Sequence, residues 1–248
     1  MKQATAPQQQ PAGALHRVRL KFLAVLGPAL LLVSTATLAQ AAAPAALPAV
    51  VVWDFDNQTP AALGSSAGAE FLRRALSENL TASLLQVAGL PVLERQRLKD
   101  LLAEQKVSAA ELADPDARVR LGRIVGAGRM VFGGYFVLGD QVQVHVRVVD
   151  TTTSRVLFSD ELTTGLAQVM QQVEPLNRRL TRALGAQGKP GVTFAETSWQ
   201  QYDQALALAD AGRLDDAVQS LQALLTRDKA FAPAERQLVA LLDKLSRR

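Results

Sequence analysis

Asp54 and Asp56 are the residues of this chain best equipped for chemistry. They close the run AVVVWDFDNQTP at residues 49–60. An apolar strand that delivers D-x-D to its carboxyl end can present one carboxylate as a nucleophile and a second to a magnesium ion, which is phosphoryl-transfer chemistry. That chemistry also asks for a threonine two residues after the second aspartate, a lysine for the phosphate and a distant acidic pair for the metal. Here Asn57 and Gln58 follow Asp56, and Thr59 arrives one residue late. The adjacent pair Asp215-Asp216 lies far away in a helical segment. A metal-dependent phosphatase using Asp54 and Asp56 is therefore the weaker alternative, and Asp56-Asn57 reads as a turn whose side chains bond nearby backbone.

The other chemical candidates thin out quickly. The glycines of GRIVGAGRM follow a helical pattern and precede a strand, the reverse of a dinucleotide-binding turn, so Gly126 and Gly128 read as a helix cap and a tight turn. The chain holds two histidines, His16 and His145, and no cysteine. Ordinary zinc ligand sets and cysteine-histidine catalysis are excluded. We expect no catalytic residues, no cofactor and no metal.

The elements that carry these residues follow from periodicity. Val50 to Phe55 is apolar at nearly every position, as in a central strand covered on both faces. Leu72, Leu76, Leu80, Leu84 and Val87 mark one helical face, PVLE a short strand, and Leu98, Leu101 and Leu102 a second helix. Ser108 with Glu111 offers a capping box, and Asp114-Pro115 an N-cap followed by proline in the first turn of a third helix ending near Val125. QVQVHVRVV alternates strictly, with Val142, Val144, Val146 and Val148 dry and Gln141, Gln143, His145 and Arg147 wet. Gly139-Asp140 joins it as a hairpin to Met130–Leu138, and DTTTSR turns into a last strand near Val156–Leu162. The order predicts a three-layer-like α/β sandwich with a mixed sheet: strand, helix, strand, helices, three-strand meander. Helical spacing returns over 166–184 with Pro175 inside it, which predicts a kink or two helices.

Charge and compartment come from the first segment. Lys2, Arg17, Arg19 and Lys21 precede FLAVLGPALLLVSTATLA, and Ala39-Gln40-Ala41 is a small-residue cleavage site. Residues 1–41 read as a signal peptide and 42–49 as an Ala/Pro-rich tether, which places the protein in the periplasm or cell-envelope space. The four basic residues of that leader belong to the 27 in the chain; the remaining 23 face 23 Asp and Glu, so the mature protein is formally neutral. A neutral surface argues against nucleic acid as a partner. The lack of cysteine argues against a lipid anchor, leaving peripheral or no membrane contact.

VVWDFDNQT, PVLERQRLKDLLAEQ, GRIVGAGRMVFGGYF and VHVRVVDTTTSRVLFSDEL together resemble the family of the curli production assembly/transport component CsgG. The matching positions are Phe55 and Asn57, Glu94 and Arg95, Glu104 and Gln105, and Arg147, Val149 and Asp150. The resemblance covers residues 50–165. It implies a periplasmic α/β domain that assembles into rings or docks onto envelope proteins, with Glu94 and Arg95 as candidate partner contacts. Secretion-channel relatives carry a lipidated cysteine and long membrane hairpins, and neither pattern is present here. A subunit of an outer-membrane secretion complex is thus an alternative to an adaptor.

Residues 166–184 form the connecting helix, and GAQGKPG at 185–191 reads as a linker. Beyond it, YDQALALADAGRLDDAVQSLQALLTRDKAFAPA resembles a tetratricopeptide repeat, so 192–248 is expected to be a small all-α module. Ala205, Gly212, Ala217 and Leu221 fall where such a repeat packs its two helices. Trp199, Tyr202, Leu206 and Asp210 would face the groove used for peptide recognition, or else Trp199 and Tyr202 pack inward. A lone helix pair buries too little to stand alone and must borrow a surface, whereas the α/β domain is expected to keep its own core. The functional expectation is a non-enzymatic exported adaptor that binds envelope proteins and is open to homo-oligomer formation.

Overall fold

The computed structural model describes residues 47–63, 67–104, 114–186 and 193–247. The leader, most of the tether, the Ser108–Glu111 capping box and most of the 185–191 linker lie outside them.

The first strand is interrupted. β1 (Val50–Val52) and β2 (Asp56–Asn57) both run parallel to β4 (Arg129–Leu138), the first beside 129–131 and the second beside 134–135. Between them the chain leaves the ladder, and the Phe55 N–H donates to the Arg73 carbonyl instead. β3 (Val92–Leu93) pairs parallel with β1, while β5 (Gln141–Asp150) and β6 (Val156–Gly165) complete an antiparallel meander with β4. The sheet is mixed and six-stranded, in the order β3-β1-β4-β5-β6 with β2 beside β4. The final strand runs three residues further than its apolar pattern, because Thr163, Thr164 and Gly165 keep pairing with β5.

The helices follow their signals. α1 (Leu72–Leu85) and α2 (Arg95–Glu104) precede α3 (Pro115–Ile124), where Asp114 caps the backbone N–H groups of Asp116 and Ala117. α3 ends in a Schellman arrangement: Ala127 N–H donates to the Gly122 carbonyl and Gly126 N–H to that of Arg123. The φ of +78° at Gly126 is the left-handed conformation that this ending requires. The segment with the interior proline splits at Val173 into α4 (Val169–Gln172) and α5 (Glu174–Ala183), so Pro175 sits in a first turn where its missing N–H costs nothing. Three further helices follow: α6 (Glu196–Asp210), α7 (Leu214–Arg227) and α8 (Ala232–Ser246). Among the described residues no helix is long and apolar enough to cross a membrane.

Two apolar clusters lie on opposite sheet faces. On one, Val51, Trp53, Met130, Phe132 and Val149 meet Leu98 of α2 and Val119 of α3. On the other, Val142, Val144, Val146 and Val148, each at most 1% exposed, join Leu72, Leu76 and Leu80 of α1 and Leu176 and Leu180 of α5. The dry and wet faces of β5 are therefore as the alternation predicts. The second cluster does not end at the linker. Trp199, Tyr202, Leu206, Leu221, Phe231 and Leu241 belong to it, and α6 and α8 pack on α1. The surface borrowed by the last three helices is thus α1, and Pro44–Arg248 is one compact unit. The self-contained core expected for residues 50–165 is instead shared with 193–247.

Candidate partner-binding site

The carboxylates that end the first strand have separate partners. Asp54 accepts from the Ser77 hydroxyl at 3.4 Å. Asp56 accepts two bonds from the Arg118 fork, at 2.8 and 3.4 Å, across the gap between β2 and α3. The turn expected at Asp56-Asn57 is instead the strand β2, paired with β4; only the Asn57 side chain bonds nearby backbone, its oxygen accepting from the Thr59 N–H at 3.0 Å. Among the described residues no group of three His, Cys, Asp or Glu could hold a metal ion.

Around the Asp56–Arg118 pair lies a cleft of about 180 Å³ lined by Asp56, Gln58, Arg118, Phe132, Gly133, His145 and Arg147. It is built where the wet face of β5 emerges from under α3. Arg118 lies over the Trp53 ring at 5.8 Å, and Arg147 over the Phe132 ring at 5.5 Å. Gln58 and His145 approach at 3.4 Å between Nε2 atoms. His145 is held below its ordinary pKa, first by burial and then by Arg147, while Asp56 and Glu161 pull the other way. The strand pattern marks His145 and Arg147 as wet, but only the pairing of β4 with β2 and β5 brings them to Asp56. No local motif carries that juxtaposition.

The other site residues are distributed along the seam between α1, α2 and the last three helices. Trp199 and Tyr202 are each 1% exposed and Leu206 is fully buried. The Trp199 ring stands edge-on to Phe231 at 4.8 Å and to Tyr202 at 6.1 Å, and its Nε1 has no hydrogen-bond partner among the described residues. These rings pack inward and do not reach an open groove. Asp210 binds Arg74 at 2.9 Å and also Lys99, and Asp203 binds Arg74 at 3.0 Å. Glu94, at the start of α2, pairs with Arg236 of α8 at 3.3 Å. The Arg95 side chain lies outside the described residues. Gly212 has a different role from the close packing expected of it. Among the described residues, no atom beyond its own chain neighbours lies within 4 Å of where its Cβ would be, and its φ of +79° ends α6 with the Arg213 N–H on the Leu208 carbonyl.

Residues 32–139 match the family described as curli production assembly/transport component CsgG. That span runs from the leader to the tip of the β4–β5 hairpin, so the Arg147, Val149 and Asp150 positions lie beyond it. No curated protein matches the chain. Among solved structures, the chain is similar to the LpoB C-terminal domain from Salmonella enterica, at 18% identity over 51% of this chain and 88% of that one, with a TM-score of 0.35. It is also similar to the PelC dodecamer from Paraburkholderia phytofirmans, at 16% identity over 57% and 89% of the two chains, with a TM-score of 0.28. TolB from Acinetobacter baumannii overlaps at 12% identity over 56% of this chain and 28% of that one, with a TM-score of 0.37.

Proposed function

We propose that the protein is an exported, non-enzymatic adaptor of the cell envelope, binding other proteins through its α/β sheet and presenting a helical surface beside it. The observation that carries this reading is the match of residues 32–139 to the CsgG family, whose description is of assembly and transport. Residues 1–41 serve as the export signal. The α/β part at 50–165, the connecting helix at 166–184 and the tetratricopeptide-like helices of 192–248 divide the work of assembly and partner contact. Trp199, Tyr202, Leu206, Asp210, Glu94 and Arg95 enter as residues that shape and orient the helical surface offered to the partner. Self-association is compatible with this role.

Export and binding are tested together. After osmotic shock of cells expressing the full chain, the protein is expected in the released fraction without detergent. It should also cross-link into an adduct containing an envelope protein or a second copy. Retention in the cytosol, or release without any adduct, would refute the adaptor. Recovery only with detergent, as a large ring, would favour a secretion-complex subunit instead.

A further inference from the structure

We propose that the cleft between β2, β4, β5 and α3 seats one carboxylate, supplied by a Glu or Asp side chain of an extended partner segment that continues along the open sheet face. The inference rests on the protein-binding reading above and names the chemistry of what is bound.

Size and charge select the group. A cleft of about 180 Å³ is below the ~300 Å³ at which pockets for drug-sized ligands begin. It has room for a carboxylate and little more. The Asp56 charge is already met by the Arg118 fork. Arg147 is the remaining cation, held over Phe132 and with no carboxylate within 4 Å among the described residues. With neutral His145 the lining therefore carries one net positive charge, which suits a carboxylate monoanion better than a phosphate dianion. A planar guanidinium fork also matches carboxylate geometry. Glu161, across from His145 on β6, accepts from Gln143 at 3.3 Å and forms no ion pair with Arg147 among the described residues.

The surface beside the cleft tells what bears the carboxylate. Phe136 and Leu138 continue the same face of β4, opposite Gln143 and Gln141, and Leu138 is 57% exposed. From the Phe132–Arg147 pair to the Leu138–Gln141 pair is six residues, or ~20 Å of strand. An extended segment with an acidic residue at one end and apolar residues at alternate positions beyond it meets both features.

The proton on His145 links binding to pH. The groups that face this ring are Gln58 and Asp56 from β2 and the residues after it, Arg118 from α3, Arg147 on its own strand and Glu161 from β6. Gln58 Nε2 is a donor, so the His145 Nε2 opposite it must be the unprotonated acceptor. A carboxylate seated on Arg147 beside this ring favours imidazolium. Binding then takes up a proton, so affinity is greatest between the titration of the ligand carboxylate and that of His145, and falls as pH rises through the His145 titration.

The test follows His145 by proton–carbon NMR in the full chain carrying His16→Gln, which leaves His145 as the one histidine. The probe is a blocked Glu-Gly-Leu-Gly-Leu peptide. The Glu peptide is expected to shift the His145 Cε1–H signal saturably and to raise its midpoint by about one pH unit. The Gln counterpart and free acetate should bind at least ~10-fold more weakly. Arg147→Ala should lose the same factor with an unchanged thermal midpoint, and Arg147→Lys should recover part of it. Equal binding of the Gln peptide, equal binding of acetate, or full binding by Arg147→Ala would each overturn the inference. Peptide failure alongside a persistent envelope adduct would sink this proposal and leave the adaptor reading standing.

Discussion

Trp199→Ala is expected to destabilise the whole protein by about 3–5 kcal/mol, the usual loss for a large buried aromatic. The indole is 1% exposed and sits against Phe194, Tyr202 and Phe231 at ring separations of 4.8–6.4 Å. Surrounding rings of that size cannot collapse into the space, so the cavity remains. Trp199→Phe is the informative control. It removes a buried Nε1–H with no partner among the described residues, and a stranded donor costs ~1–3 kcal/mol, which offsets much of the lost contact. Chemical denaturation should therefore rank Ala far below Phe. If alanine costs under about 1 kcal/mol, the aromatic cluster is not part of the folded core.

Ending the chain at Gly188 should have a larger effect still. α1 is covered by the sheet on one side and by α6 and α8 on the other, and the apolar cluster is continuous through all of them. Arg74 is tied to Asp203 and Asp210, and Glu94 to Arg236, so the cut also removes the partners of a part-buried charge, Arg74, and of the exposed Glu94. The shortened chain is expected to lose its cooperative thermal transition and to aggregate. A sharp transition like that of the full chain would show that the α/β part keeps an independent core, as its sequence pattern alone suggests.

Local signals read well from the sequence because their causes are local. Asp114 before Pro115 caps α3, Pro175 divides the helix after β6, and the four alternating valines of β5 face inward. What could not be read depends on contacts distant in sequence. The helix pair beyond the linker carries an apolar surplus that any neighbour could cover, and nothing in its pattern points to α1. Gly212 fits both close helix packing and a left-handed cap, and only its φ and its empty surroundings decide between them. The D-x-D signal at Asp54 and Asp56 has the right residues for metal chemistry, but Arg118 claims Asp56 from 62 positions away. The cleft was legible only as separate wet residues, since its walls come from β2, α3, β4 and β5.

The most direct test of the adaptor places a photoreactive side chain at Gln143, on the open sheet face, and separately at Val239, exposed on α8. Irradiation of intact cells is expected to give an adduct between position 143 and an envelope protein, and Arg147→Ala should diminish it. No adduct from position 143, with or without one from position 239, would contradict partner binding through the α/β sheet.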